Sequence, residues 1–298
     1  MKKINHKGNA VTFIFLCFIL AVGFCSCGSK SADNSETQIA IQDEVEALDA
    51  DTEQELAEEL EPGLEPEPEP ELEPPAVLYT SVLEPDKSFK FRDQQVYYDI
   101  KKCREYEIVG EDLDYKIIVD DNTKEVILQY EETDSDEDWH NNYLFFPWPL
   151  KLDNKTVWTT YGYAKIYKSS QSIPLNQWME QLEKHPDYKA VIWGWSLGSA
   201  MAKITARHYV IRTGGELMID ELMTFGDVKC WFNPFYSVKK YCKRIREYCN
   251  SSDLITWCMP FCRRDVKCKV GPKFTLKRAR QSEYNHTHYE EYDYTDWQ

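Results

Sequence analysis

The pentapeptide Gly194-Trp195-Ser196-Leu197-Gly198 sets a serine between two glycines, in a chain with only 12 glycines among 298 residues. An apolar run, "KAVIW", precedes it, and a helix-like run, "LGSAMAKITARHYVIR", follows it. A strand that turns sharply into a helix here strains the backbone at Ser196, and side chains at 194 and 198 would collide across the turn. The hydroxyl then stands at the carboxyl end of a sheet, with the free N–H groups of the helix start facing any oxyanion that develops. The chemistry this supports is nucleophilic attack on a carbonyl.

A serine hydroxyl is a weak nucleophile and needs a base, usually a histidine oriented by a carboxylate. Downstream, His208 falls inside the predicted helix and points away from the serine, which leaves His286 and His288. In the chain order serine, acid, histidine, the acid is one of Asp220, Glu221, Asp227, Asp253 and Asp265. Asp253 follows the predicted strand "CKRIREYCN" and opens a loop, where a strand-end carboxylate belongs.

The elements that must carry these groups are readable in outline. Residues 88–106 suggest a short strand and then a helix. Tyr115–Val119 and Glu125–Tyr130 are β-rich runs around an Asp-Asn turn, a hairpin signal. "PLNQWMEQLEKH" reads as a helix with Pro174 in its first turn, and Gly214-Gly215 closes the helix after the serine. "LMTFG" adds a further strand. Strands alternating with helices predict an α/β fold with a largely parallel sheet covered on both faces.

Taken together, these segments resemble the class 3 lipases, fungal-lipase-like α/β-hydrolases. "VIWGWSLGSAMA" resembles that family's elbow, with Trp195 and Ser199 where His and Gly are usual. "LMTFGDVK" and "NSSDLITWCMPF" are similar to its next strand and its acid loop, and the latter marks Asp253 as the acid. "EVILQYEETDSDEDWHNN" resembles the strand leading to the oxyanion residue, which implies that Thr133 and the N–H of Leu197 form the oxyanion hole. "YNHTHYEEY" resembles the C-terminal histidine segment and favours His286, with His288 as the alternative. "NNYLFFPWPLKL" lies where such proteins carry a lid or acyl-binding wall, which nominates Phe145, Phe146 and Trp148.

The resemblance implies a serine hydrolase cleaving carboxylic esters of lipids through an acyl-enzyme on Ser196, with no cofactor and no metal. The competing reading is a non-catalytic, surface-exposed binding protein on a degenerate lipase fold, with Trp195 and Glu132 blocking the pocket.

The N-terminal quarter reads differently. Lys2, Lys3 and Lys7 precede an apolar run from Val11 to Phe24, the pattern of a secretory signal and short for a membrane span. "FCSCGSK" resembles a bacterial lipoprotein processing site with Cys27 as the lipidated residue, so residues 1–27 are expected to be signal peptide and lipidation site. Residues 28–77 are expected to be an unfolded acidic tether, because 31–75 hold 17 Asp plus Glu, no Lys or Arg, and the repeat "EPGLEPEPEPELEPP". The hydrolase domain then spans 78–298 of an exported, membrane-anchored lipoprotein whose partners are a lipid or other ester substrate and the membrane. The tether accounts for the formal charge of −16; the remainder is close to neutral, which argues against nucleic acid as a partner. Cys230, Cys242, Cys249, Cys258, Cys262 and Cys268 crowd into 39 residues, with Cys103 apart, and in an exported protein such crowding predicts disulfides.

Overall fold

A computed structural model describes residues 89–103, 105–110, 113–131, 146–257, 259 and 262–297. The leader with Cys27, the acidic segment 28–77, Glu132, Thr133, Phe145 and Cys258 lie outside the described residues.

The β-rich and apolar runs form the sheet, and its central strands are buried on both faces. Its strands are β1 (Glu107–Val109), β2 (Leu113–Asp120), β3 (Glu125–Tyr130), β6 (Lys189–Trp195), β7 (Ile219–Phe225), β8 (Cys242–Asn250) and β9 (Cys268–Val270), side by side in that order. The pairs β1/β2 and β2/β3 are antiparallel; from β3 to β9 every neighbouring pair is parallel. The register sets Tyr130 beside Gly194 and Trp195 beside Phe225, so the carboxyl ends of β3, β6 and β7 share one edge. That edge is where an open α/β sheet binds its ligands. The mostly parallel sheet with helices against it has the architecture of an α/β-hydrolase fold.

Helix α1 (Arg92–Lys102) precedes the sheet; α2 (Tyr161–Ser169), α3 (Ile173–Lys184) and α4 (Leu197–Arg212) follow β3. Alternation along β6 divides the core. Ala190 and Ile192 pack with Trp178 of α3 and with Ala200 and Ile204 of α4, whereas Val191, Trp193 and Trp195 pack with Val96, Tyr97 and Ile100 of α1 and with C-terminal tyrosines. Trp178 is fully buried and its indole N–H donates to the Val126 carbonyl (3.0 Å), so a large apolar side chain keeps its polar atom satisfied. Gly214 and Gly215 end α4 at φ 62° and 78°, the left-handed conformation that stops a helix there. Among the described residues no helix is long and apolar enough to cross a membrane.

The structure gives one expected segment a definite form and departs from another expectation. From Pro147 on, the expected lid segment is strand β4 (Pro147–Leu152), paired with β5 (Lys155–Thr160) in an antiparallel hairpin. Leu150 and Leu152 point into the core, while Phe146 and Trp148 stay exposed and gather around Tyr161, with ring centroids 5.1 and 5.0 Å from it. Among the described residues the expected disulfides are not formed: Cys103, Cys230, Cys242, Cys249, Cys262 and Cys268 carry free thiols. Some of these cysteines do come near one another, Cys230 and Cys262 within one core and Cys249 and Cys268 on the paired strands β8 and β9, yet they stay unbonded. Cys242 and Cys249 sit seven residues apart on one strand, hence on opposite faces, and Cys268 belongs to the other core from Cys230, Cys242 and Cys262. Burial pushes the thiols of Cys242 and Cys262 up to about 12 and that of Cys268 up to about 11, so they behave as small apolar side chains.

Candidate active site

The elbow forms for a steric reason. Ser196, between β6 and α4, holds φ 55° and ψ −119°, a conformation costly for a residue with a Cβ. A Cβ on Gly194 would lie 2.3 Å from the Gly198 carbonyl oxygen, and one on Gly198 would lie 2.6 Å from the Glu131 oxygen. Only glycine lets the two limbs of the turn approach each other and the end of β3. The Ser196 N–H donates to the Phe225 carbonyl (3.0 Å), which ties the strained residue to the neighbouring strand.

The acid and base arrive from the last third of the chain. Asp253 sits in the turn after β8; its Oδ1 accepts from the Ile255 N–H (3.1 Å). His286 lies on α6 (Ser282–Thr287), which follows α5 (Leu276–Ala279). His286 Nε2 is 2.7 Å from Ser196 Oγ, and its Nδ1 is 2.6 Å from Asp253 Oδ2. All three are nearly or fully buried. The structure therefore brings Ser196, Asp253 and His286 together. His288 is turned elsewhere: its ring stacks on Tyr284 at 3.8 Å and Nδ1 lies 3.0 Å from the Tyr284 carbonyl. His208 points away on α4, 3.0 Å from the Tyr167 hydroxyl.

Three residues that sequence reasoning did not assign hold this arrangement. Tyr289, fully buried, donates from its hydroxyl to Asp253 Oδ2 (3.0 Å) and accepts from the Asn250 N–H (2.9 Å). Burial and the Asp253 charge hold its phenol well above the usual range, so it stays a donor. Gly226, at φ 52°, leaves bare backbone under the imidazole; a Cβ there would meet His286 Cε1 at 2.7 Å. Trp195 is buried against Tyr97 and donates from Nε1 to the His286 carbonyl (3.2 Å), so its side chain braces the histidine helix. Ser199, in the position where glycine is usual, accepts from the Val228 N–H through Oγ (3.1 Å).

Leu197 is the first residue of α4, and a helix's first N–H groups have no intrahelical acceptor. Thr133 would follow the end of β3, outside the described residues. Behind the elbow lies a second buried polar cluster. Lys203 of α4 and Arg264 both reach Asp227, at 2.8 and 2.6 Å, and Glu247 of β8 is 3.9 Å from Lys203. A lone lysine among the small apolar residues of α4 was the sequence signal for it. Among the described residues no group of three His, Cys, Asp or Glu side chains is placed to hold a metal ion.

A buried hydroxyl–imidazole–carboxylate chain beside a strand–helix elbow is the arrangement of a serine nucleophile with its base and acid. Residues 128–262 match the family model of lipase (class 3). The matched span covers the end of β3, the elbow and Asp253, stops before His286, and supports the class 3 lipase family. Similar solved structures include a fungal lipase–inhibitor complex described as a model for interfacial activation, 20% identical, covering 56% of this chain and 63% of that one, with a TM-score of 0.48. A triacylglycerol lipase described as having a serine protease triad as its catalytic centre is 18% identical, covering 56% and 64%, with a TM-score of 0.47. A Rhizomucor miehei lipase propeptide complex is 18% identical, covering 56% and 55%, with a TM-score of 0.48. This chain thus spans less than two thirds of each of those proteins.

Proposed function

We propose that the protein is a serine hydrolase that cleaves carboxylic esters of lipids through an acyl-enzyme on Ser196. The observation that carries this reading is the unbroken chain of contacts from Ser196 Oγ to His286 Nε2 and from His286 Nδ1 to Asp253 Oδ2. The match to lipase (class 3) supports the substrate class.

In the proposed reaction Ser196 Oγ bonds to the ester carbonyl carbon while its proton passes to His286 Nε2. Asp253 holds the proton on Nδ1 and stabilises the imidazolium, with Tyr289 fixing the same carboxylate oxygen. The oxyanion is assigned to the N–H of Leu197 together with Thr133. The tetrahedral adduct collapses as the carbon–alcohol bond breaks and His286 Nε2 returns the proton to the alcohol. Water then attacks the acyl-enzyme by the same proton route and releases the acid. Phe145, Phe146 and Trp148 are assigned to the acyl-binding wall. The leader and Cys27 extend the proposal to an exported, membrane-anchored lipoprotein; palmitate labelling that persists in Cys27→Ser would refute that part.

Ser196→Ala should lower turnover of a short-chain nitrophenyl ester by about 10⁶ while circular dichroism stays unchanged. Equal turnover by variant and parent overturns the proposal. A fluorophosphonate probe should label the parent at Ser196; an unlabelled, folded protein would favour the binding-protein reading.

A further inference from the structure

The near-neutral total of the folded part conceals an uneven distribution. Residues 263–280, "RRDVKCKVGPKFTLKRAR", hold eight Lys or Arg and a single acid in a chain of net charge −16. That acid, Asp265, is turned inward, where it accepts from the Val238 N–H (3.1 Å). Lys267, Lys273, Lys277, Arg278 and Arg280 are exposed, and among the described residues none of them pairs with a carboxylate. Unpaired cations clustered on one segment repel one another, so their grouping costs stability unless an anionic partner offsets it.

Apolar groups stand among these cations. Trp257, Phe274 and Leu276 are 41%, 45% and 73% exposed, with the Trp257 and Phe274 rings 6.0 Å apart and Lys267 Nζ 6.0 Å from the Trp257 ring. Exposed aromatic and aliphatic side chains interleaved along the chain with cations match the boundary of an anionic bilayer, where rings and alkyl groups enter the headgroup layer and Lys or Arg meet phosphate.

The patch is joined to the candidate site. Trp257 ends the short 3-10 helix that follows Asp253. Asn285, the residue before His286, donates to the Arg278 carbonyl (2.8 Å) and the Ser252 carbonyl (3.3 Å), and the Leu254 N–H donates to Ser282 Oγ (2.7 Å). The segment holding Phe274 through Arg280 follows the carboxyl end of β9, on the sheet edge that carries Ser196. We infer that this basic, aromatic-studded segment docks the protein onto an anionic phospholipid surface and so presents the catalytic edge to the bilayer. The lipid-ester reading gives the docking its purpose, but the docking itself needs no turnover.

The test uses the full chain with vesicles of phosphatidylcholine alone or with phosphatidylglycerol. An N-terminal anchor would bind both compositions alike, so the ratio between them isolates the patch. The parent should prefer the anionic vesicles by at least about tenfold, and added salt should erode that preference. The triple variant Lys273→Gln/Lys277→Gln/Arg280→Gln should lose the preference, and Phe274→Ala/Leu276→Ala should weaken binding at any salt, both with unchanged soluble-ester turnover and circular dichroism. Equal partition of the parent between the two vesicle types overturns the inference. So does a variant that partitions like the parent, or tight single-stranded RNA binding without any anionic-vesicle preference. If Ser196→Ala keeps full esterase activity while vesicle preference persists, the catalytic proposal falls and the docking stands.

Discussion

Two aspartates near the elbow, Asp227 and Asp253, are both wholly buried and both follow strands of the parallel sheet, yet their partners differ in kind. Asp253 meets an imidazole and a phenol, and Asp227 meets Lys203, Arg264 and the hydroxyl of Thr224. An imidazole can take up and release a proton near neutral pH; a lysine locked against a carboxylate and an arginine do not. Burial opposes the charge on Lys203, and the negative surroundings, the Asp227 carboxylate foremost, more than offset it, so its ammonium is held above its ordinary range. Asp253 thus lies on the proposed proton route, whereas Asp227 fastens α4 to β7 and β8 behind Ser196. Burial does not tell the two carboxylates apart; the partner does.

The sharpest break of this comparison is Asp253→Asn. With the imidazole left in the wrong tautomer, kcat should fall by about 10⁴, while the melting temperature barely moves. Asp227→Asn should do the reverse. Removing one member of a buried ion pair costs about 3 kcal/mol or more, which for a domain this size lowers the melting temperature by about 6–12 °C. Activity per folded molecule should then stay within about tenfold, since Asp227 touches neither Ser196 nor His286. If scanning calorimetry and kinetics gave both variants the same profile, the division of labour drawn above would be wrong. Tyr289→Phe removes one hydrogen bond to Asp253 and should cost about tenfold in kcat, with little change in KM.

The gentlest test is electrostatic and lies at Glu247. Burial and the nearby Asp227 charge raise its carboxyl well above the ordinary 4.5, against the opposing pull of Lys203. The folded state then binds a proton that the unfolded state has already released. Stability should fall as pH rises above about 4.5, by at most about 1.4 kcal/mol per pH unit, until the raised folded value is reached. Glu247→Gln mimics the protonated form and should flatten that decline in denaturant titrations run at several pH values.

The contrast also shows what the sequence could disclose. The elbow was legible because its constraint is local: Gly194 and Gly198 are demanded by a turn spanning five residues. The acid was less so, because Asp227 and Asp253 both follow predicted strands; the loop position favoured Asp253 and the family resemblance marked it. His286 and His288 stayed open for a geometric reason: two residues apart near a helix end, they diverge by about 200°, and no local pattern says which faces the serine. Ser199 and Trp195, departures from the usual family residues, turn out to make specific bonds to Val228 and His286. The disulfide expectation failed among the described cysteines: strand alternation sends Cys242 and Cys249 to opposite sides of the sheet, and crowding in sequence does not set the sulfur–sulfur geometry that a bond needs.

The final stretch of chain carries two duties at once. His286 completes the triad, and within eight residues Tyr289, Tyr292 and Tyr294 close over Tyr97, Phe225 and Tyr248 to finish one side of the core. Without these residues Ser196 has no imidazole beside it, and the core that α1 begins to cover lacks the tyrosines that complete it. One segment thus supplies both the imidazole beside Ser196 and the last aromatic layer of that core, so a change that unseats it disturbs both together.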